Sequence, residues 1–192
     1  MSKNKNSMAW KLFDRYFIQG LNGMALGLFS TLIIGLIIKQ ISSVFTGSIA
    51  SFLLTVAVVA MSLTGPVIGI GVAHALKSPK LVILASGVTG LLGAFGGTFS
   101  SGALLSDKMQ LVLPGAGDPL GAFIAVVISA EIGRLVSGKT KVDIIVTPLV
   151  TIVTGGMVAY FIGPYLAMAM ANLGEFIRVS TELQPFLMGV AV

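Results

Sequence analysis

The sequence predicts an all-α, polytopic integral membrane protein with about five complete transmembrane helices and an interrupted sixth, several of them broken by glycine and proline. Three observations carry that prediction. Of the 192 residues 55% are hydrophobic and 10% charged, and the mean hydropathy is +1.00, whereas a soluble domain carries roughly 25% charge. Charge-free stretches recur at lengths that suit a hydrocarbon layer of about 30 Å. The cations sit between those stretches and concentrate in alternate connections. There is no cysteine and one histidine, which excludes disulfides, thiol catalysis and multi-histidine metal sites. The 24 glycines follow no fixed period, the pattern of close helix packing in lipid rather than of collagen or a linker.

The first charge-free stretch, Tyr16 to Ile38, has 23 residues and reaches about 35 Å as a helix. It is too long for a signal-peptide core and has no cleavage site. Residues 1–15 precede it as a cytoplasmic segment. Trp10, Phe13 and Phe17 share one helical face, opposite Lys11, Asp14 and Arg15, so this is either an interfacial amphipathic helix or an extension of the first span. The second span runs from about Thr46 to Leu76 and is interrupted at Gly65-Pro66. Leu81 to Ser106 makes a third, rich in glycine. Asp107 to Pro119 has loop composition, and its Asp107 and Asp118 are expected to be solvated. Pro119 to Val136 is the fourth span. Ile144 to Gly174 is the fifth, where Gly155-Gly156 and Gly163-Pro164 predict a bend or a break. From Leu183 to Val192 a sixth begins and stops short, at about 15 Å, which reads as a fragment of something longer.

Cation placement orients these spans. With the N-terminus inside, nine of the twelve cations fall on the inner side (Lys3, Lys5, Lys11, Arg15, Lys77, Lys80, Arg134, Lys139 and Lys141) and three outside (Lys39, Lys108 and Arg178). The positive-inside bias therefore predicts a cytoplasmic N-terminus. The net charge of +5 is accounted for by orientation, without a nucleic-acid partner.

Few residues can carry chemistry. Gly65, Pro66 and Gly69 lie in a run where a helix break could turn backbone groups toward a midplane substrate site; equally, Gly65 and Gly69 could be a small-residue packing contact. His74 could donate to a sugar hydroxyl or relay protons, or simply lie at the interface. Glu131 is about twelve residues into the fourth span, where a carboxylate is costly unless paired or hydrated. Arg134, three residues on, could pair with it. Otherwise Glu131 accepts hydroxyl hydrogen bonds from a polar substrate, with Arg134, Lys139 and Lys141 as a basic rim. Asp143 either caps the fifth helix or joins that cluster. No nucleotide, zinc-protease, serine-elbow or dinucleotide motif is present, so no catalytic residue, cofactor or metal is predicted.

Three segments carry a family resemblance: Phe13-Asp14-Arg15-Tyr16-Phe17-Ile18-Gln19-Gly20 through Gly27, Thr64-Gly65-Pro66-Val67-Ile68-Gly69, and Ala130-Glu131-Ile132-Gly133 with Lys139-Thr140-Lys141-Val142-Asp143. They resemble EIIC-like membrane proteins of the bacterial phosphotransferase system, some of which are linked to toxin (perfringolysin) regulation. The resemblance covers essentially the whole chain, 1–192, as a single transmembrane domain. It implies a longer, multi-pass inner-membrane permease, homodimeric, that moves a sugar while an EIIB-like cytoplasmic partner phosphorylates it. Established sugar EIIC proteins use a Glu-Pro glutamate and a pocket histidine. Here Glu131 is followed by Ile132, so His74 and Glu131 are stand-ins chosen by chemistry. Two alternatives to a permease remain open: a non-transporting membrane sensor or regulator with the same shell, and an inactive fragment.

Overall fold

In the computed structural model, which describes residues 8–183, the chain folds as a bundle of helices. Helix α1, residues 8–42, is continuous, with two stretches of wider π-helical spacing at Asp14–Gln19 and Phe29–Ile33. A turn at Gly47, where φ is 71°, leads into α2 (Ser48–Ser62) and α3 (Thr64–Ala75), which meet at Leu63 with a bend of 47°. Then come α4 (Lys80–Ala94), the short α5 (Gly96–Ser100), α6 (Pro119–Val136) and α7 (Asp143–Leu183).

The usual amphipathic pattern is inverted. On α1 the buried positions are Gly20, Gly23, Gly27, Thr31, Gly35 and Ser42, while Leu26, Phe29, Ile34 and Ile37 are exposed. In α6 the buried set is Gly121, Ala122, Ala125, Val126, Ser129, Ala130 and Gly133. Small residues let helix backbones approach closely, and large apolar side chains face outward, which is favourable only where the surroundings are lipid. Glycine contacts also fix direction. Gly23 lies against Gly71 and Gly27 against Ile68, Gly65 against Gly90 and Gly69 against Ser86, Gly93 against Gly121 and Val82 against Gly133, and Gly133 against Thr151 and Ser129 against Gly155. Each of these helix pairs is therefore antiparallel, and α4 sits centrally, packed against α3, α6 and α7.

Three helices, Trp10–Ser42, Pro119–Val136 and Asp143–Val179, are long and apolar enough to cross a membrane, and the bent α2–α3 pair makes a fourth if it counts as one span. The third expected span departs from its sequence reading. Its helix stops at Ala94, because Phe95 (φ −114°, ψ 28°) leaves helical geometry, and 15 residues reach only about 22 Å. Of the bend or break expected in the fifth span, the break is absent: α7 runs unbroken through Pro148 and Pro164. Its glycines serve packing instead, Gly155 against Thr89 and Ser129 and Gly163 against Gly96. The apolar run expected to open a sixth span lies, beyond Leu183, outside the described residues. N-terminally, α1 continues without interruption from Met8 into the first span, and the Trp10, Phe13 and Phe17 rings form a stack along one face, with centroids 5.8 and 5.0 Å apart.

The segment 101–118 is irregular, as its composition predicts, yet it is not merely solvated. Leu104 reaches the core and the Asp118 amide donates to the Ala94 carbonyl at 2.7 Å. Asp107 is exposed, but Asp118 is the N-cap of α6: its Oδ1 accepts from the Leu120 amide at 3.0 Å, with Pro119 in the first helical position. Asp118→Ala is expected to cost about 1 kcal/mol, and Asp107→Ala almost nothing, in unfolding titrations performed in mixed micelles. Equal losses would remove the capping assignment.

Candidate functional site

One end of the bundle gathers the start of α1, the end of α3 and the last turns of α6. The π-helical stretch Asp14–Gln19 widens the turn that presents Arg15, and Gln19 Nε2 donates to Asp14 Oδ2 at 2.8 Å, five residues back. Gly20 brings α1 against α6, where an added Cβ would lie 3.1 Å from the Phe123 ring. Together these features aim Arg15 across the helix interface.

Arg15 Nη2 is 2.6 Å from Glu131 Oε1, and the same nitrogen donates to the Leu76 carbonyl at 3.3 Å. Leu76 is the C-cap of α3, so the guanidinium meets the negative end of that helix dipole as well as a carboxylate. Its Cζ also lies over the Tyr16 ring, 5.6 Å from the centroid. Arg15 Nε is buried and has no hydrogen-bond partner among the described residues. Arg134 Nη1 is farther from Glu131 Oε1, at 3.9 Å, and more exposed than Arg15, 43% against 28%. The i,i+3 pairing expected from the sequence is thus the weaker of two. Arg15 is the principal partner, a residue that the sequence placed on the polar face of the N-terminal segment and among the orienting cations, with no link to Glu131. A glutamate in an apolar span needs a cation or water, and Arg134 offers one from three residues on; nothing in the spacing of Arg15, 116 residues away, marks it as the nearer partner.

The other predicted residues fall in two places. Gly65 and Gly69 are buried on α3 with α4 backbone directly opposite: a Cβ on Gly65 would lie 2.8 Å from the Gly90 carbonyl, and one on Gly69 would collide with that of Ser86. Pro66, part-buried, is the third residue of α3, just past the bend. His74 is exposed, in a recess of about 580 Å³ lined with Ala75, Lys77, Ser78 and Ile83. Lys77 adopts a left-handed conformation (φ 55°), and the Ser78 amide bonds the Ala73 carbonyl while the Lys77 amide bonds that of His74. This is a Schellman closure of α3. Asp143 Oδ1 accepts from the Gly138 amide at 2.8 Å and Thr147 Oγ1 at 2.6 Å, closing the turn onto α7 rather than joining Glu131. Among the described residues, no group of three histidine or carboxylate side chains could hold a metal ion.

A bundle of outward-apolar helices with a carboxylate between two guanidiniums at one end defines a membrane protein with a polar station, the class in which permeases fall. Residues 18–192 match the family model described as "Phosphotransferase system, EIIC", and the chain belongs to that family. The match supports a phosphotransferase-system, permease-type role and does not extend to the toxin-regulator label. Neither a curated protein nor a solved structure matches the chain.

Proposed function

We propose that the chain provides the sugar-binding translocation path of a phosphoenolpyruvate-dependent phosphotransferase system, as a multi-pass protein of a bacterial cell membrane with its N-terminus cytoplasmic. The observation that carries this reading is the Arg15–Glu131 pair in a member of this family. Charged groups held within apolar helices mark substrate pathways, and the part-exposed Glu131 carboxylate with the guanidiniums of Arg15 and Arg134 beside it offers both an acceptor and donors to a sugar hydroxyl. Arg134 stands at the rim of that station, and the α3 bend with Gly65, Pro66 and Gly69 is the break beside which the path would run. His74, two residues before Leu76, lies at the same end. The cations Arg15, Lys77, Lys80 and Arg134 belong to helix ends that meet there, which fits one shared cytoplasmic face. An EIIB-like partner would dock on that face, and a second copy of the chain would complete a homodimer.

Uptake of a panel of radiolabelled sugars by membrane vesicles containing the protein tests this reading. Saturable accumulation of one sugar class, dependent on phosphoenolpyruvate and the soluble phosphotransfer proteins, is the expected result. No accumulation of any sugar, together with altered gene expression on deletion, would replace it with the sensor-regulator reading.

A further inference from the structure

Two helical irregularities lie at the same level of the bundle and are joined to each other. One is the π-helical stretch Phe29–Ile33 of α1, and the other is the bend at Leu63 between α2 and α3. Thr31 Oγ1 is 3.2 Å from Thr64 Oγ1, its hydroxyl shared between Thr64 and the Gly27 carbonyl at 2.8 Å, while Thr64 donates to the Met61 carbonyl at 2.7 Å. Both threonines are buried.

Packing differs on the two sides of this level. On one side α1 and α3 are in backbone contact: a Cβ on Gly23 would lie 2.5 Å from the Gly71 carbonyl, and one on Gly27 would lie 2.7 Å from Ile68 Cα. On the other side, residues 34–42 of α1 pack on α2. Gly35 is the tight point there, where a Cβ would come within 2.6 Å of Met61 and 3.2 Å of the Ala57 carbonyl. The substantial packing of α2 is with α1, and Ala57 is its buried residue. Residues 34–62 are therefore an arm of two helices fastened to each other and joined to the body at two points. At both points the regular i→i−4 ladder is disturbed, by π spacing in α1 and by the non-helical Leu63 (φ −86°, ψ 6°) in the other strand of the arm, and helices bend most readily where that ladder is disturbed.

We propose that residues 34–62 swing as a rigid arm about an axis through Thr31 and Thr64, with the hydrogen bond between the two hydroxyls acting as the pin that holds the two hinge points together. Hinges of this kind concentrate a rotation in a few element-terminal residues. With α2 about 22 Å long, a rotation of roughly 10° moves the tip by about 4 Å. The inference is independent of which solute, if any, the protein moves.

Because the chain has no cysteine, pairs of nitroxide labels can be placed cleanly on the protein in lipid nanodiscs. Val44 at the arm tip and Leu135 on α6 are both well exposed, so V44C/L135C reports arm against body. V44C/V59C reports distances within the arm. The expected result is an arm–body distribution broader than the intra-arm one, shifted by several ångström in Thr64→Val and restored in Thr64→Ser, with the intra-arm distance unmoved. An arm–body distribution as narrow as the intra-arm one and unchanged by Thr64→Val would overturn the hinge. Should Thr64→Val fail to fold, Thr31→Val removes the same hydroxyl contact from the other side, and the comparison of widths in the unmutated background needs neither variant.

Discussion

Glu131→Gln is expected to lower sugar uptake by about 10- to 100-fold, the loss that follows from replacing a charge-assisted hydrogen bond by a neutral one. The same change leaves Arg15 facing an amide, with only the Leu76 carbonyl and the C-terminal end of α3 to balance its charge. The pair is part-exposed, at 28% and 30%, so the stability cost is expected to be about 1–3 kcal/mol rather than that of a fully buried ion. Those two effects can be separated. Adding Arg15→Gln removes the unbalanced cation, and the double variant should recover most of the lost stability in a denaturing-detergent titration. If the pair binds substrate, uptake stays low in the double variant; recovered uptake would make Glu131 a counter-ion for Arg15 and nothing more. Arg134→Gln serves as the comparison. At 3.9 Å and more exposed, it should cost less than about 1 kcal/mol, as rim pairs do.

Gly69→Ala is the second change of large expected effect. Its new methyl group would fall on the Ser86 carbonyl and close to Gly90 Cα, both backbone atoms of the central helix α4. Backbone in a helix cannot rotate away as a side chain can, so α3 and α4 must separate, at a cost of about 3 kcal/mol or more. Gly156→Ala makes the control, since its Cβ would meet only Leu92 Cδ1 at an ordinary 3.5 Å. There the alanine should be neutral or stabilise α7 by up to about 1 kcal/mol through its better helix propensity. Unfolding of both variants in mixed micelles checks the contrast. A folded, stable Gly69→Ala protein that had lost uptake would show instead that this glycine presents backbone to the solute.

How far such sites could be read before the fold was known depends on the range of the physics involved. The medium was legible, because transfer of side chains into lipid is additive along the chain and needs no partner; hence the helical class and the spans at Tyr16–Ile38 and Pro119–Val136. The interruption of the second span was also legible, since Gly65-Pro66 disturbs the backbone locally, although the bend itself sits at Leu63. Locality misled where a residue could serve either of two ends. Gly155-Gly156 and Gly163-Pro164 read as a bend or a break in α7; the helix is unbroken, and Gly155 and Gly163 admit α4 and α5 to close contact. Asp118 read as solvated, although an aspartate directly before a proline that opens a span is itself a local capping signal, and its Oδ1 accepts from the Leu120 amide.

By itself the sequence determined the solvent of this protein, the helical class and several helix ends, and that Glu131 must be paired or hydrated, since each follows from the chemistry of a residue and its near neighbours. Only the tertiary structure decided that the cation is chiefly Arg15, that Gly65 and Gly69 face α4 backbone, and that Thr31 meets Thr64. Those pairings span 116, about 20 and 33 residues; they are set by which helix faces come into contact, a geometry that no short-range spacing encodes.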